Sequence, residues 1–254
     1  MFSYSLFRKE LREHRWLLLI GTLVLTALGI FSAWSFDMLA MYGDMLQGFM
    51  PQLAKQFEQL LADYNFYIWS QLHPKNLLQF GIVLALILAS TDLAGEVNRG
   101  SIQYLTGLPI SRRTILITKS AAGMLSLSII VWVSTLVTLV TAELLESGIL
   151  WGKMLAATAL LNIGLMAVYS FTLIFSALGN DAVKTGALAA AVLLIWSAAG
   201  LHPTTQFLSP FWHMKGIDWF MGTGPFPWLS LVGLIIFALA SLYIADGIFS
   251  KREF

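Results

Sequence analysis

An all-α membrane protein with six transmembrane helices is the fold class that this sequence predicts, on three observations. Of its 254 residues, 57% are hydrophobic and only 11% charged, with a mean hydropathy of +0.75, whereas a soluble domain carries about 25% charged residues. Apolar stretches recur at close to the ~20 residues that a helix needs to cross a bilayer. None alternates polar and apolar positions as a barrel strand does, and lipid offers no hydrogen-bond partners to an open sheet, so the spans are helices.

The spans fall at 16–36, 77–94, 114–142, 154–178, 185–201 and 228–248. The first is expected to be retained, because its core exceeds the ~7–15 residues of a signal peptide and bulky Trp34 and Phe36 stand where a small-residue cleavage site belongs. The fifth is rich in small residues, with Gly186 and Ala190 four apart, which suits close packing either within the chain or against another subunit. Lys and Arg set the orientation. With the N-terminus inside, Arg8, Lys9, Arg12, Arg15, Arg99, Arg112, Arg113, Lys119, Lys184, Lys251 and Arg252 are cytoplasmic, 11 of the chain's 15 cations, against Lys55, Lys75, Lys153 and Lys215 outside. Both termini and the segment 95–119 are therefore expected in the cytoplasm.

Residues 1–15 set Phe2, Leu6 and Leu11 among four cations, the pattern of a helix lying in the inner interface. In the outer segment 37–76, Met45, Phe49, Leu53, Phe57, Leu60 and Tyr64 recur at helical spacing, with Pro51 as a kink or a start, and predict a surface helix. Met38, Met41 and Met45 read as apolar filling before they read as a soft-metal stripe. The outer segment 202–227 mixes Pro203, Pro210, Gly216, Gly222, Gly224, Pro225 and Pro227 with six aromatics, which predicts a re-entrant or interfacial hairpin.

Chemistry is excluded more readily than it is found. The four histidines, His14, His73, His202 and His213, fall in four different flanks, and no metalloprotease or hydrolase motif appears. Glu143 and Glu146 share a helix face at the outer end of the third span, where solvation accounts for them. There is no cysteine, hence no disulfide framework. GILWGK at 148–153 has the wrong spacing for a phosphate loop and is followed by Met154 instead of Ser or Thr. ATP must then be handled by another polypeptide. Charge inside the spans is confined to their ends, with Asp92 and Asp246 near the cytoplasm and Lys119 expected to snorkel to the inner interface. Gln79, Asn162, Thr172 and a Ser/Thr series from Ser126 to Thr138 leave the membrane's middle polar but uncharged, which speaks against an ion-coupled carrier.

The segment 95–119 is the most distinctive. Glu96, Gly100-Ser101, Leu108-Pro109-Ile110-Ser111-Arg112-Arg113 and Lys119 closely resemble the cytoplasmic signature of the permease subunits of type-two ABC exporters, with Ser101 in place of the commoner Thr. Gly100 interrupts the helix leaving the membrane, Pro109 disfavours α geometry at Leu108, and Ile102, Tyr104, Leu105 and Leu108 supply apolar contacts. The resemblance implies that this loop is the coupling helix that docks on an ATPase, through Glu96, Arg99, Gly100, Ser101, Tyr104, Leu105, Pro109, Arg112, Arg113 and Lys119. Arg112 and Arg113 would face acidic groups there or anionic lipid. It implies further a dimer with a second permease copy or homologous permease, two ABC ATPase subunits carrying ATP and Mg, membrane lipid as surroundings and a prokaryotic plasma membrane. The second and fifth helices would line the path, for a hydrophobic or amphipathic cargo such as a peptide, antibiotic or lipid. No cofactor bound by this chain and no nucleic-acid partner is expected. Ion extrusion, copper-enzyme maturation, for which Met38, Met41, His202, His213 and Met214 are the candidate ligands, and a membrane anchor for an ATPase stand as alternatives.

Overall fold

The computed structural model describes residues 2–46, 60–146 and 148–253, and every regular element among them is helical. A short helix α1 (Tyr4–Glu13) bends at His14 into α2 (Arg15–Trp34), which is followed by α3 (Phe36–Leu46). Next come α4 (Tyr64–Ser70), a π-helical turn (Gln71–Leu77) and α5 (Leu78–Asp92), running as one rod. Two single-turn helices, α6 (Ala94–Asn98) and α7 (Ile102–Thr106), lead to α8 (Arg112–Leu145) and α9 (Trp151–Leu178). After α10 (Ala182–Ser197) the chain folds through 3-10 turns, α11 (Pro210–His213) and α12 (Ile217–Phe220) into α13 (Trp228–Lys251). Six of these rods are long and apolar enough to cross a membrane. Phe49, Pro51, Lys55 and Phe57, and with them most of the expected surface helix, lie outside the described residues.

Helix α9 is the hub. It is the most buried of the six spans and packs against α13, α5, α8 and α10, while α2 and α1 lie along α8. Close approach of α2 to α8 depends on a missing side chain: a Cβ at Gly29 would fall 1.9 Å from Thr138 Oγ1. In the Ser/Thr series Thr135 Oγ1 back-bonds to Val131 O at 2.9 Å and Thr138 Oγ1 to Ser134 O at 2.8 Å, while Ser134 Oγ donates across to Thr22 O at 3.4 Å. Polar residues are thereby kept at membrane depth without orphaned hydroxyls.

The helical rod that carries the second span begins at Tyr64, well before residue 77. Tyr67, Ile68, Trp69 and Leu72 are buried, and Trp69 stacks on Phe220 at 4.9 Å between ring centres, so this stretch is bundle and not surface. Pro74 has no N–H to donate, and the widened π turn accommodates it without ending the helix. His73 on that turn is likewise no flank residue. It is buried, with Nε2 2.9 Å from Thr158 Oγ1.

Two ends of the bundle result. One gathers α1, α6, α7 and residues 249–253; the other gathers 60–77, 142–146, 148–153 and 198–227, tied by Asn65 to Gly148 O at 3.2 Å and to Leu150 N at 2.7 Å. At that far end the Glu143 carboxylate accepts from the amides of Gly148 and Ile149 at 3.3 and 2.9 Å, and Lys153 donates to Phe220 O at 3.2 Å. The hairpin residues are used in packing: Ser209, Met214 and Phe220 are buried, and His213 is held by Ser230 Oγ at 2.8 Å and Phe207 O at 2.7 Å.

Candidate functional site

The end that carries α6 and α7 is built on an ion-paired junction. Asp92 closes α5, and the chain re-enters a helical turn at once, with the amides of Leu93 and Ala94 donating to Ser176 Oγ on α9 at 3.3 and 3.0 Å. This turn aims Glu96 inward. One oxygen of Glu96 takes Lys119 Nζ at 2.9 Å and Lys9 Nζ at 3.1 Å, and the other accepts the Ser101 hydroxyl. Lys119 also holds Glu10 Oε2 at 2.7 Å. Lys9 continues outward to Glu13 at 3.0 Å, and Arg99 closes the rim at 3.7 Å from Glu96 and 3.8 Å from Glu13.

Glu10, Glu96 and Lys119 are each about 1% exposed. Lys119 therefore does not snorkel; two carboxylates meet it inside the protein, which removes the reason to reach for the interface. Burial alone would raise the carboxyl of Glu96, but the Lys119 ammonium, the Ser101 hydroxyl and Lys9 override it and hold that group at about 2. Lys9 is pushed the other way. Partial burial would lower it, and Glu10, Glu13 and Glu96 together raise it above its ordinary value.

A second polar layer lies one turn deeper. Asp92 accepts the Tyr169 hydroxyl from α9, and its other oxygen is 3.5 Å from His14 Nε2, whose Nδ1 is 3.1 Å from Ser126 Oγ. Ligand atoms of Glu10, His14 and Asp92 lie within 4.8 Å of one another, as do those of Glu10, Glu13 and Glu96. Both sets share Glu10, whose two oxygens already face Lys119 and Lys9 at 2.7 and 3.3 Å.

The residues expected at an ATPase interface thus divide in two. Glu96, Lys119 and Leu105 are buried, Leu105 at 2%, and they fix the loop to the bundle from behind. Arg99, Gly100, Tyr104 and Pro109 are exposed, Tyr104 at 75%, and Gly100 turns the chain between α6 and α7 with φ of 72°. Arg112 turns toward the chain's own end, with Nη1 donating to Phe249 O at 3.4 Å and to Arg252 O. Arg252 in turn donates to Ala177 O at 2.6 Å and Gly179 O at 2.9 Å, so arginines cover the carbonyl ends of two helices. Arg113 lies 3.5 Å from Asp246 and stays largely exposed.

Glu10, Glu13, His14 and Tyr169 are members of the junction that sequence reasoning missed. Their signal was faint: Leu6, Glu10 and His14 follow at intervals of four, so the apolar face of α1 leads straight into them. Tyr169, mid-span on α9, gives no such hint.

Six spans, the fourth of them central, with a polar-anchored loop at one end, make a polytopic helical membrane bundle. Residues 4–251 match the family model for ABC-2 family transporter protein. The chain belongs to that family and is a transmembrane subunit of an ABC transporter, a component that associates with ABC ATPase subunits. No curated protein matches it in sequence.

Proposed function

We propose that this chain is the permease half of an ATP-driven exporter in a prokaryotic plasma membrane, working as a dimer with two separate ATPase subunits that act on α6 and α7. The observation that carries this reading is the split just described. A loop whose inner face is locked by Glu96, Lys119 and Leu105 and whose outer face offers Tyr104, Arg99 and Pro109 is suited to pass a push from a soluble partner into α5 and α8.

Two further features support it. Helix α10 buries only Thr185, Ala189 and Leu193, leaving Val183, Leu188, Leu194 and Ile195 exposed for a second copy to cover. Between α5 and α10 lies a cavity of about 600 Å³ lined mainly by aliphatic side chains, among them Ile82, Val83, Leu86 and Leu193, in keeping with a hydrophobic or amphipathic cargo. The excess of cations at the α1 end orients that end to the cytoplasm.

Purification of the tagged chain from its native membrane in mild detergent tests the reading. It should bring down a soluble ATPase in equimolar amount, with hydrolysis stimulated by amphipathic compounds. Recovery of the chain alone counts against the whole reading, whereas an intact complex that no candidate cargo stimulates counts against export and for an anchor.

A further inference from the structure

The cavity between α5 and α10 carries its charge at one end only. Aliphatic residues line it down to Leu86, whereas its hairpin end holds Gln79, Trp212 and Lys215. Lys215 takes part in no ion pair and Gln79 in no side-chain hydrogen bond among the described residues. An unpaired ammonium above an apolar trough, with an unpaired amide beside it and an indole on its wall, presents the complement of a molecule with one anionic head and one apolar tail. From Gln79 to Leu86 the trough runs about 10 Å at the 1.5 Å rise of a helix. Its volume of about 600 Å³ lies within the range of small-molecule pockets, about 300–1,000 Å³, with room for a single acyl chain.

We propose that this cavity binds a single-chain anionic amphiphile, with its carboxylate or phosphate on Lys215 and Gln79 and its tail along α5 and α10. The inference rests on the export reading only in taking the ligand as cargo; binding itself needs no ATPase. Lys215 is then the residue that sets preference for head-group charge.

The test uses the full-length chain in nanodiscs of zwitterionic lipid, labelled by a photoactivatable myristate analogue. Myristate and lysophosphatidate should compete at concentrations at least ten-fold below those needed for tetradecyltrimethylammonium. Lys215→Glu should reverse that order, and Lys215→Arg should keep it. Leu193→Trp, which fills the trough, should cut labelling several-fold whatever the head group. Equal competition by anionic and cationic compounds, or an order unchanged in Lys215→Glu, overturns the proposal. Displacement by double-chain phosphatidylglycerol as readily as by myristate also overturns it, since the occupant is then bilayer lipid. Labelling as expected with an ATPase that no amphiphile stimulates leaves this inference standing and removes export alone.

Discussion

Lys119 and Glu96 face each other at 2.9 Å across 23 residues of chain, each side chain only 1% exposed. The pair joins the first turn beyond α5 to the second turn of α8, and Glu10 at 2.7 Å adds α1 to the same ammonium. Three elements are thus held at one nitrogen atom. A buried charge tolerates no loss of its partner, because the desolvation already suffered is then uncompensated.

Removing the shared cation should therefore cost more than removing one anion. Lys119→Met leaves Glu10 and Glu96 buried beside each other with only the half-exposed Lys9 to pair them, and is expected to destabilise the chain by about 3–5 kcal/mol. Glu96→Gln leaves Lys119 with Glu10 and keeps an acceptor for Ser101, so a smaller loss is expected. Thermal unfolding of the detergent-purified variants ranks them. A Lys119→Met protein as stable as the parent would show that the junction is solvated.

The same junction sets a pH response whose sign follows from Glu96. Its carboxyl lies at about 2 in the folded chain against an ordinary 4.5, so its contribution is complete above 4.5 and is lost as pH falls from 4.5 toward 2. Lys9, shifted upward from 10.5, contributes fully below that value and loses its contribution only at higher pH. Stability should thus be flat across neutral pH and fall in acid, with a shallower acid limb in Glu96→Gln. Thermal unfolding followed from neutral pH down to pH 3 measures the difference, and coincident acid limbs would assign the acid response to other carboxylates.

Crossing of α8 and α9 depends on Gly123. A Cβ there would sit 2.4 Å from the Tyr169 hydroxyl and 2.6 Å from its ring, and a ring pinned to Asp92 has little room to yield. Gly123→Ala should cost about 1–3 kcal/mol, the usual range for overpacking. Gly233→Ala, on α13 where a Cβ meets nothing within 4 Å, should be neutral or slightly stabilising. Side-by-side melting curves decide it; equal losses at the two glycines would mean that helix contact is not the cause.

How much of this was legible follows from which forces leave a trace in one dimension. The six spans show in the sequence because bilayer thickness imposes a minimum apolar length, which hydropathy reads directly. The start of α4 at Tyr64 does not, because Asp63, His73, Pro74 and Lys75 lower the hydropathy of a stretch that tertiary burial of Tyr67 and Trp69 nonetheless draws into the bundle. Glu96, Lys119 and Arg112 were singled out as a group by their resemblance to a family signature, but their direction was not legible. Whether a charged side chain points outward or inward depends on partners far along the chain, such as Glu10 for Lys119 and the carbonyls of 249–252 for Arg112. Pairings of that kind have no local period.

The inward and outward sides of the loop should separate in function as they do in space. Tyr104 is 75% exposed and makes no side-chain hydrogen bond among the described residues, so Tyr104→Ala should leave folding unchanged within about 0.5 kcal/mol, the range of ordinary surface substitutions. If α7 is the surface on which the ATPase acts, the same change should reduce cargo-stimulated hydrolysis at least several-fold while the complex still assembles. Leu105, one position on and 2% exposed, should behave in the opposite way: Leu105→Ala opens a cavity behind the loop and is expected to cost about 2–5 kcal/mol. Melting temperature and stimulated ATPase rate, measured on both variants of the reconstituted complex, give the separation. A Tyr104→Ala complex with full stimulation would remove α7 from the coupling path and leave the junction of Glu96 and Lys119 with a purely structural task.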